Sequence, residues 1–362
     1  MRSVDVLVVG LGPAGAAAAA AAARGGVRVL GVDKRRAVGL PVQCAEFIPR
    51  PLGRQARAAG VLRQAIEGML SVLPSGAAVH TEFPGLMIDR AAFDQALAEE
   101  ARGAGAELAL ATQLVRLDAG HRQATLRSAA GEETLAYRLL VAADGPHSMV
   151  ARGLGLGNLE VVQTRQYTVP LNAAYRDTDI WLSPDYPGGY AWLFPKGQLA
   201  NLGLGADKRL RSDLKSPLDA LHCRLVAEGR VGEEIVCRTG GGIPVGGLRP
   251  SLVVGKVLFV GDAAGFTHPI TGAGIAAAVI SGEGAGRAAA DHLGGAAHAL
   301  ADFEEDMRDQ FETSLTRAAA RRRQMLAGWL AADARRDAFH RRGWIAFPEY
   351  FQPDFSPLRA GS

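Results

Sequence analysis

Cysteine is scarce in this sequence: Cys44, Cys223 and Cys237 are the only three in 362 residues. None stands in a C-x-x-C pair and the number is odd, so neither a disulfide framework nor a zinc site is indicated, and no metal is expected. Such sparing use suits a reducing compartment, and a cytoplasmic location is expected. Charge of one sign is also missing. Forty basic residues face 37 acidic ones, a formal net charge of +3, which makes no case for nucleic-acid binding. No run of about 18 strongly apolar residues occurs, the length that a membrane span needs; peripheral association at the inner membrane stays open. No repeat recurs at a solenoid period. Apolar residues at 48% and charged ones at 21% describe an ordinary globular chain, long enough for roughly two domains. Glycine is abundant at 45 residues, which suits close approach of backbone to a ligand.

The glycines are patterned from the start. Val6 to Val9 read as a buried parallel strand. Gly10, Gly12 and Gly15 follow in G-x-G-x-x-G spacing. The first glycine allows the tight turn, the second lets a pyrophosphate approach the backbone, and the third lets helix and strand pack closely. Pro13 suits a first helical position, and Ala16 to Ala23 have high helix propensity. A second strand, Val27 to Val32, closes on Asp33, placed 18 residues after Gly15 to accept bonds from a ribose hydroxyl. Strand, glycines, helix, strand and acid in register point to dinucleotide binding. An apolar amino terminus of this kind imitates a secretory signal, but its removal would destroy the fingerprint, so that reading is rejected.

Further along, 34–50 is a loop punctuated by Gly39, Pro41 and Pro49, and a helix is expected from Leu52 into the sixties. Residues 69–88 suggest short strands. Arg90 onward reads as a helix capped by Asp89. From about 157 to 250, Thr, Tyr, Val and Trp with frequent turns indicate a mostly antiparallel sheet, interrupted by a helix near 210–228. Val257 to Val260 is again a strand, and Ala299 to about Leu330 is a long helix. The expected fold is α/β, in two interleaved domains. A Rossmann-type domain formed by 1–68, 89–156 and 251–297 would surround a β-rich substrate domain of 69–88 and 157–250. A helical region, 298–362, would follow.

Three segments narrow this. Gly261-Asp262-Ala263-Ala264-Gly265 follows a strand and precedes a helix, so its carboxylate can hold a ribityl hydroxyl while helix amides favour negative charge. With the N-terminal fingerprint it resembles the para-hydroxybenzoate hydroxylase type of flavoprotein. Asp144-Gly145 and Arg90 resemble further FAD contacts of that fold. Pro41-Val42-Gln43-Cys44-Ala45-Glu46 and Tyr190-Ala191-Trp192-Leu193-Phe194-Pro195 resemble two segments of the geranylgeranyl reductase family, as does Pro269-x-Thr271-Gly272-x-Gly274-Ile275. The likeness covers most of 1–300. It implies FAD contacts at Gly10, Gly12, Pro13, Ala14, Gly15, Asp33, Lys34, Cys44, Ala45, Arg90, Asp144, Gly145, Gly261, Asp262, Ala263, Pro269, Gly272, Ala273, Gly274 and Ile275. It implies a prenyl-substrate cavity at Tyr190, Trp192 and Phe194, and a cysteine beside the flavin that influences its redox behaviour.

Cys44, Glu46 and His268 are the candidate catalytic residues, the last two as proton donors. Plainer roles exist for each motif residue. Cys44 is otherwise a small buried residue, Glu46 a loop carboxylate, Asp144 a turn former, Asp262 a helix cap and Arg90 a surface ion pair. Alternation places Tyr190, Trp192 and Phe194 on one face of a strand, as cavity lining or as sheet core. Arg35 and Arg36 would favour a thiolate if near Cys44. The resemblance implies an oxidoreductase that saturates carbon–carbon double bonds of an isoprenoid or other apolar substrate, or runs the reverse. An FAD-dependent monooxygenase or halogenase and an electron-transfer flavoprotein with a protein partner are the alternatives. No second dinucleotide fingerprint follows a strand, so electrons would come from NAD(P)H bound transiently or from a ferredoxin-like protein. The chain is compact, which suggests a substrate shorter than a full geranylgeranyl chain. Its basic, aromatic C-terminus reads either as an interfacial helix at anionic membrane or as a basic helix with its aromatics packed back.

Overall fold

The computed structural model describes residues 1–50, 58–330 and 333–352. Two sheets form the frame. The first, eight-stranded, runs in the order Val253–Val254, Val257–Phe259, Gly131–Ala142, Ser3–Val9, Val29–Val32, Glu107–Ala109, with the Gln113–Asp118 and Gln123–Ser128 strands extending it through Gly131–Ala142. Its centre is parallel: Val9 pairs with Val32 on one side and Ala142 on the other, and Ala142 also pairs with Phe259. Val6, Leu7 and Val8 are fully buried, and each such side chain contributes about 1.5–3 kcal/mol. This is why the strand reads as a continuous apolar run.

The alanine-rich helix Pro13–Arg24 packs on Ile275–Leu293 almost backbone to backbone. A Cβ at Gly282 would fall 2.1 Å from the Ala14 carbonyl oxygen, and one at Gly286 would fall 2.4 Å from that of Ala18. Small residues on both helices are therefore a packing requirement as well as a propensity.

The second sheet, nine-stranded, runs Cys237–Thr239, Val161–Pro170, Leu199–Ala206, Ala191–Lys196, Asp177–Trp181, Leu62–Val72, Ala78–Ile88, Phe47–Pro49, with Gly242–Pro244 also on Val161–Pro170. All its pairs are antiparallel except Asp177–Trp181 on Leu62–Val72. The helix Lys215–Ala227 covers one face. The expected helix from Leu52 does not continue into the sixties. Residues 51–57 lie outside the described residues, and Leu62–Val72 is a strand that forms a long hairpin with Ala78–Ile88. Two register shifts in that hairpin break the alternation that would have marked it. Leu62–Val72 lies wholly in the second sheet, so the expected division at 68 falls inside one strand.

Among the described residues no helix is long and apolar enough to cross a membrane. The C-terminal region turns inward after the helix Ala299–Leu330. Phe339, Trp344 and Phe347 are at most 3% exposed. Arg321 and Arg322 are also buried; Arg322 pairs with Asp207 at 3.2 Å. The Arg341 guanidinium lies over the Phe347 ring and binds Glu349 at 2.7 Å. These aromatics face the protein, which removes them from any lipid-facing helix. Burying apolar rings inside outweighs exposing them on a basic surface.

Candidate flavin and substrate site

The parallel register gathers the cofactor motifs at one edge. Gly10, Asp33, Ala143-Asp144 and Val260-Gly261 follow directly on strand ends that pair side by side, the carboxyl edge where open α/β sheets bind ligands. Gly10 has φ 96°, and a Cβ there would lie 2.3 Å from the Ala143 carbonyl oxygen. A Cβ on Gly15 would lie 1.8 Å from the Gly10 oxygen, whereas one on Gly12 would meet nothing within 4 Å. Gly12 is thus free for a different reason: space lies in front of it. No side chain caps the helix that begins there, so its first amides face that space.

The acids are held in place. Asp33 accepts from the Leu11 and Arg35 amides, both at 2.8 Å. Asp144 Oδ2 accepts from the Met149 and Val150 amides at 2.7 and 3.1 Å. Its Oδ1 is buried without a partner, and burial pushes its carboxyl upward from the ordinary value. Asp262 accepts from the Thr267 hydroxyl at 2.5 Å, and burial raises its carboxyl too. Beyond it, His268 Nδ1 accepts from the Ile270 and Thr271 amides at 3.3 and 3.2 Å. Burial lowers the imidazole to about 4, so the ring is neutral near pH 7 and braces the turn rather than acting as a cationic proton donor. Gly274 begins the Ile275–Leu293 helix, again without a side-chain cap. An orphaned acceptor at Asp144, open space before Gly12 and two uncapped helix starts fit a dinucleotide carrying hydroxyls and a pyrophosphate.

The cysteine loop bridges the two sheets. Cys44 Sγ accepts from the Glu46 amide at 3.2 Å, and Gln166 donates to the Cys44 carbonyl at 3.0 Å. The guanidinium beside the thiol belongs to Arg90, not to Arg35 or Arg36. Arg90 forms a two-point pair with Asp94 at 3.0 Å, nearly enclosed rather than on the surface. Burial alone would lower its pKa, but Asp94 and Cys44 raise it above the ordinary arginine value, so the cation is retained.

Glu46 sits in the left-handed region with φ 70° and is 3% exposed. One carboxylate oxygen accepts from the Arg90 amide at 2.9 Å; the other takes Lys196 Nζ at 2.6 Å and Asn201 Nδ2 at 2.8 Å. Glu46 thereby ties the cysteine loop to the Arg90 helix start and to the strands that carry Lys196 and Asn201.

Tyr190, Trp192 and Phe194 do share one face. Their ring centroids are 5.7 Å and 6.4 Å apart in sequence along the strand, while Ala191 and Leu193 join the core on the opposite face. Tyr190 donates to the Thr271 carbonyl in the turn at 2.5 Å. The Trp192 indole donates to Gln166 Oε1 at 3.1 Å. Gln166, Asn201, Lys196 and Asp94 were not singled out by sequence reading, although Lys196 directly follows the Tyr190–Pro195 segment and Asp94 lies four residues after Arg90.

Comparison with known proteins agrees with this geometry. A family model described as FAD binding domain matches residues 3–198. A digeranylgeranylglycerophospholipid reductase of Methanocella arvoryzae is 33% identical over 342 residues, covering 86% of this chain and 84% of that one. Its counterpart from Methanocaldococcus jannaschii is 32% identical over 328 residues, covering 85% and 81%. A crystal structure of a geranylgeranyl bacteriochlorophyll reductase-like protein from Thermoplasma acidophilum superposes with a TM-score of 0.83 at 26% identity, covering 90% and 88%. The two-sheet α/β architecture, the matched FAD-binding domain and the related reductases place the chain in the geranylgeranyl reductase family of FAD-dependent oxidoreductases.

Proposed function

We propose that this oxidoreductase saturates carbon–carbon double bonds of an isoprenoid chain carried on a lipid. The observation that supports the reading most is the double bond-making of Gln166. One amide side chain holds both the backbone of Cys44, on the cofactor side, and the indole of Trp192, in the aromatic face. The substrate face and the cysteine loop are thereby fixed to each other.

Reduced FAD supplies a hydride when bound. The residues around it bind, orient and exclude water. Gly12, Pro13, Ala14 and Gly15 would hold the pyrophosphate, Asp33 the ribose, and Asp262 and Ala263 the ribityl chain. Pro269, Gly272, Ala273, Gly274 and Ile275 line the ring. Cys44, held by the Glu46 amide and Arg90, would contact the bound flavin together with Ala45. Tyr190, Trp192 and Phe194 give the apolar chain a dry surface. Glu46 and His268 are positioning residues in this account. The first sheet with its helices is the flavin unit and the second sheet, which takes in Phe47–Pro49 as well as Leu62–Ile88, the substrate unit. Reducing equivalents come from NAD(P)H or from a ferredoxin-like protein.

The test is product mass. The FAD-loaded, chemically reduced protein is incubated without air with a geranylgeranyl lipid. A gain of two hydrogens for each bond saturated is expected; unchanged lipid, with hydroxylated product once oxygen is admitted, overturns the reading.

A further inference from the structure

Trp344 belongs to none of the sequence motifs, yet it reaches the aromatic face. Its ring lies 4.8 Å from that of Tyr190, edge to face. Tyr190 in turn holds the Thr271 carbonyl, so Trp344 stands one ring away from the turn assigned to the flavin. At the other end of the row, Phe194 lies 6.0 Å from Phe47, which stacks on Phe83 at 5.6 Å. Between Tyr190 and Phe194 the strand advances about 13 Å.

The two ends differ in exposure. Tyr190, Phe194, Phe47 and Phe83 remain partly open around Trp192, which is 6% exposed, whereas beyond Tyr190 the row ends in Trp344 at 3% and Phe347 at 1%, in the same buried cluster. The row is therefore an apolar strip, half-buried at Tyr190, Phe194, Phe47 and Phe83, that ends in fully packed rings on the Tyr190 side. A second observation concerns the same side chain: the Trp344 indole nitrogen is buried without a hydrogen-bond partner. Buried donors are usually satisfied, and departures from that rule gather where a position serves function.

We propose that Trp344 is a specificity-determining residue that closes the Tyr190 end of the aromatic face and limits how far an apolar chain extends along it. The proposal rests on the isoprenoid reading above, and its consequence is a length preference set by a C-terminal residue rather than by the sheet.

The experiment compares the FAD-loaded wild type with Trp344→Ala, Trp344→Phe and a control, Phe339→Leu. Phe339 is equally buried but packs with Trp329 and His340, away from the face. Two readouts are taken with a short and a long prenyl alcohol: kcat/KM, and affinity from perturbation of the flavin spectrum by saturated analogues. In Trp344→Ala the long-to-short ratio is expected to rise about tenfold or more in both, the effect of reshaping an apolar pocket by more than one methylene. Trp344→Phe should fall between, and Phe339→Leu should keep the wild-type ratio. An unchanged ratio in a Trp344→Ala protein that retains FAD, or an equal change in Phe339→Leu, overturns the proposal. Wild type that binds both alcohols without reducing either overturns the function and leaves the length readout to decide this claim. Wild type that binds neither overturns both.

Discussion

Glu46 and Lys196 meet at 2.6 Å across 150 residues of sequence. One lies in the cysteine loop, the other at the end of the strand that carries Tyr190, Trp192 and Phe194. Their side chains are 3% and 18% exposed. Removing one partner of such an enclosed pair leaves the other charge uncompensated. Lys196→Met should therefore cost about 3 kcal/mol of stability, and the double variant with Glu46→Gln less than the sum. Denaturant titration of the four proteins checks this; additive losses would mean the pair does not couple.

Gly12 and Gly15 should respond in opposite ways. Gly12→Val places its side chain in open space, so the apoprotein should fold with an unchanged melting temperature and fail to retain FAD. Gly15→Ala drives a Cβ into the Gly10 carbonyl, so that protein should lose stability with or without cofactor. Absorbance near the flavin bands and thermal melts separate the two outcomes.

Acid should destabilise the fold through its buried histidines. His268 and His340 are each lowered to about 4 by burial, against an ordinary value of about 6.5. The unfolded chain then binds more protons than the folded one between those values. The contribution is complete above pH 6.5 and is lost as pH falls from 6.5 toward 4, on the order of 3 kcal/mol for each histidine. His340→Phe should flatten the slope of melting temperature against pH in that window. The kcat profile should show no imidazolium ionisation of His268 near neutrality.

Gln166→Leu breaks both of its bonds at once. The Trp192 indole and the Cys44 carbonyl lose their partner, at about 1–3 kcal/mol for each buried group left unmet. Loosening the face against the loop should lower kcat by about tenfold or more while FAD stays bound. Loss of stability with kcat intact would make Gln166 a packing residue only.

What the sequence made legible was local. Gly10, Gly12, Gly15, Asp33, Asp144 and Asp262 sit within a few residues of the strands that aim them, so spacing alone carried their geometry. Tyr190, Trp192 and Phe194 shared a face because strand alternation demands it. What the sequence left unplaced was non-local. Glu46 looked like a free loop acid because its partners, Lys196 and Asn201, lie 150 and 155 residues away. Arg90, the cation beside Cys44, comes from a helix start rather than from the neighbouring Arg35 or Arg36, since the fold of the loop decides proximity. The strands at 69–88 were legible, but the start of the hairpin at 62 was not, because two register shifts break its alternation, and the two readings of the basic, aromatic C-terminus are separated only by the burial of Phe339, Trp344 and Phe347.

The most direct test is a sealed, oxygen-free cuvette. The FAD-loaded protein is reduced chemically, excess reductant is removed, and a geranylgeranyl lipid is added while the flavin absorbance is followed. The account predicts that the oxidised bands return on adding the lipid, in proportion to the double bonds saturated. Bands that stay bleached with lipid and return only when air enters would contradict it.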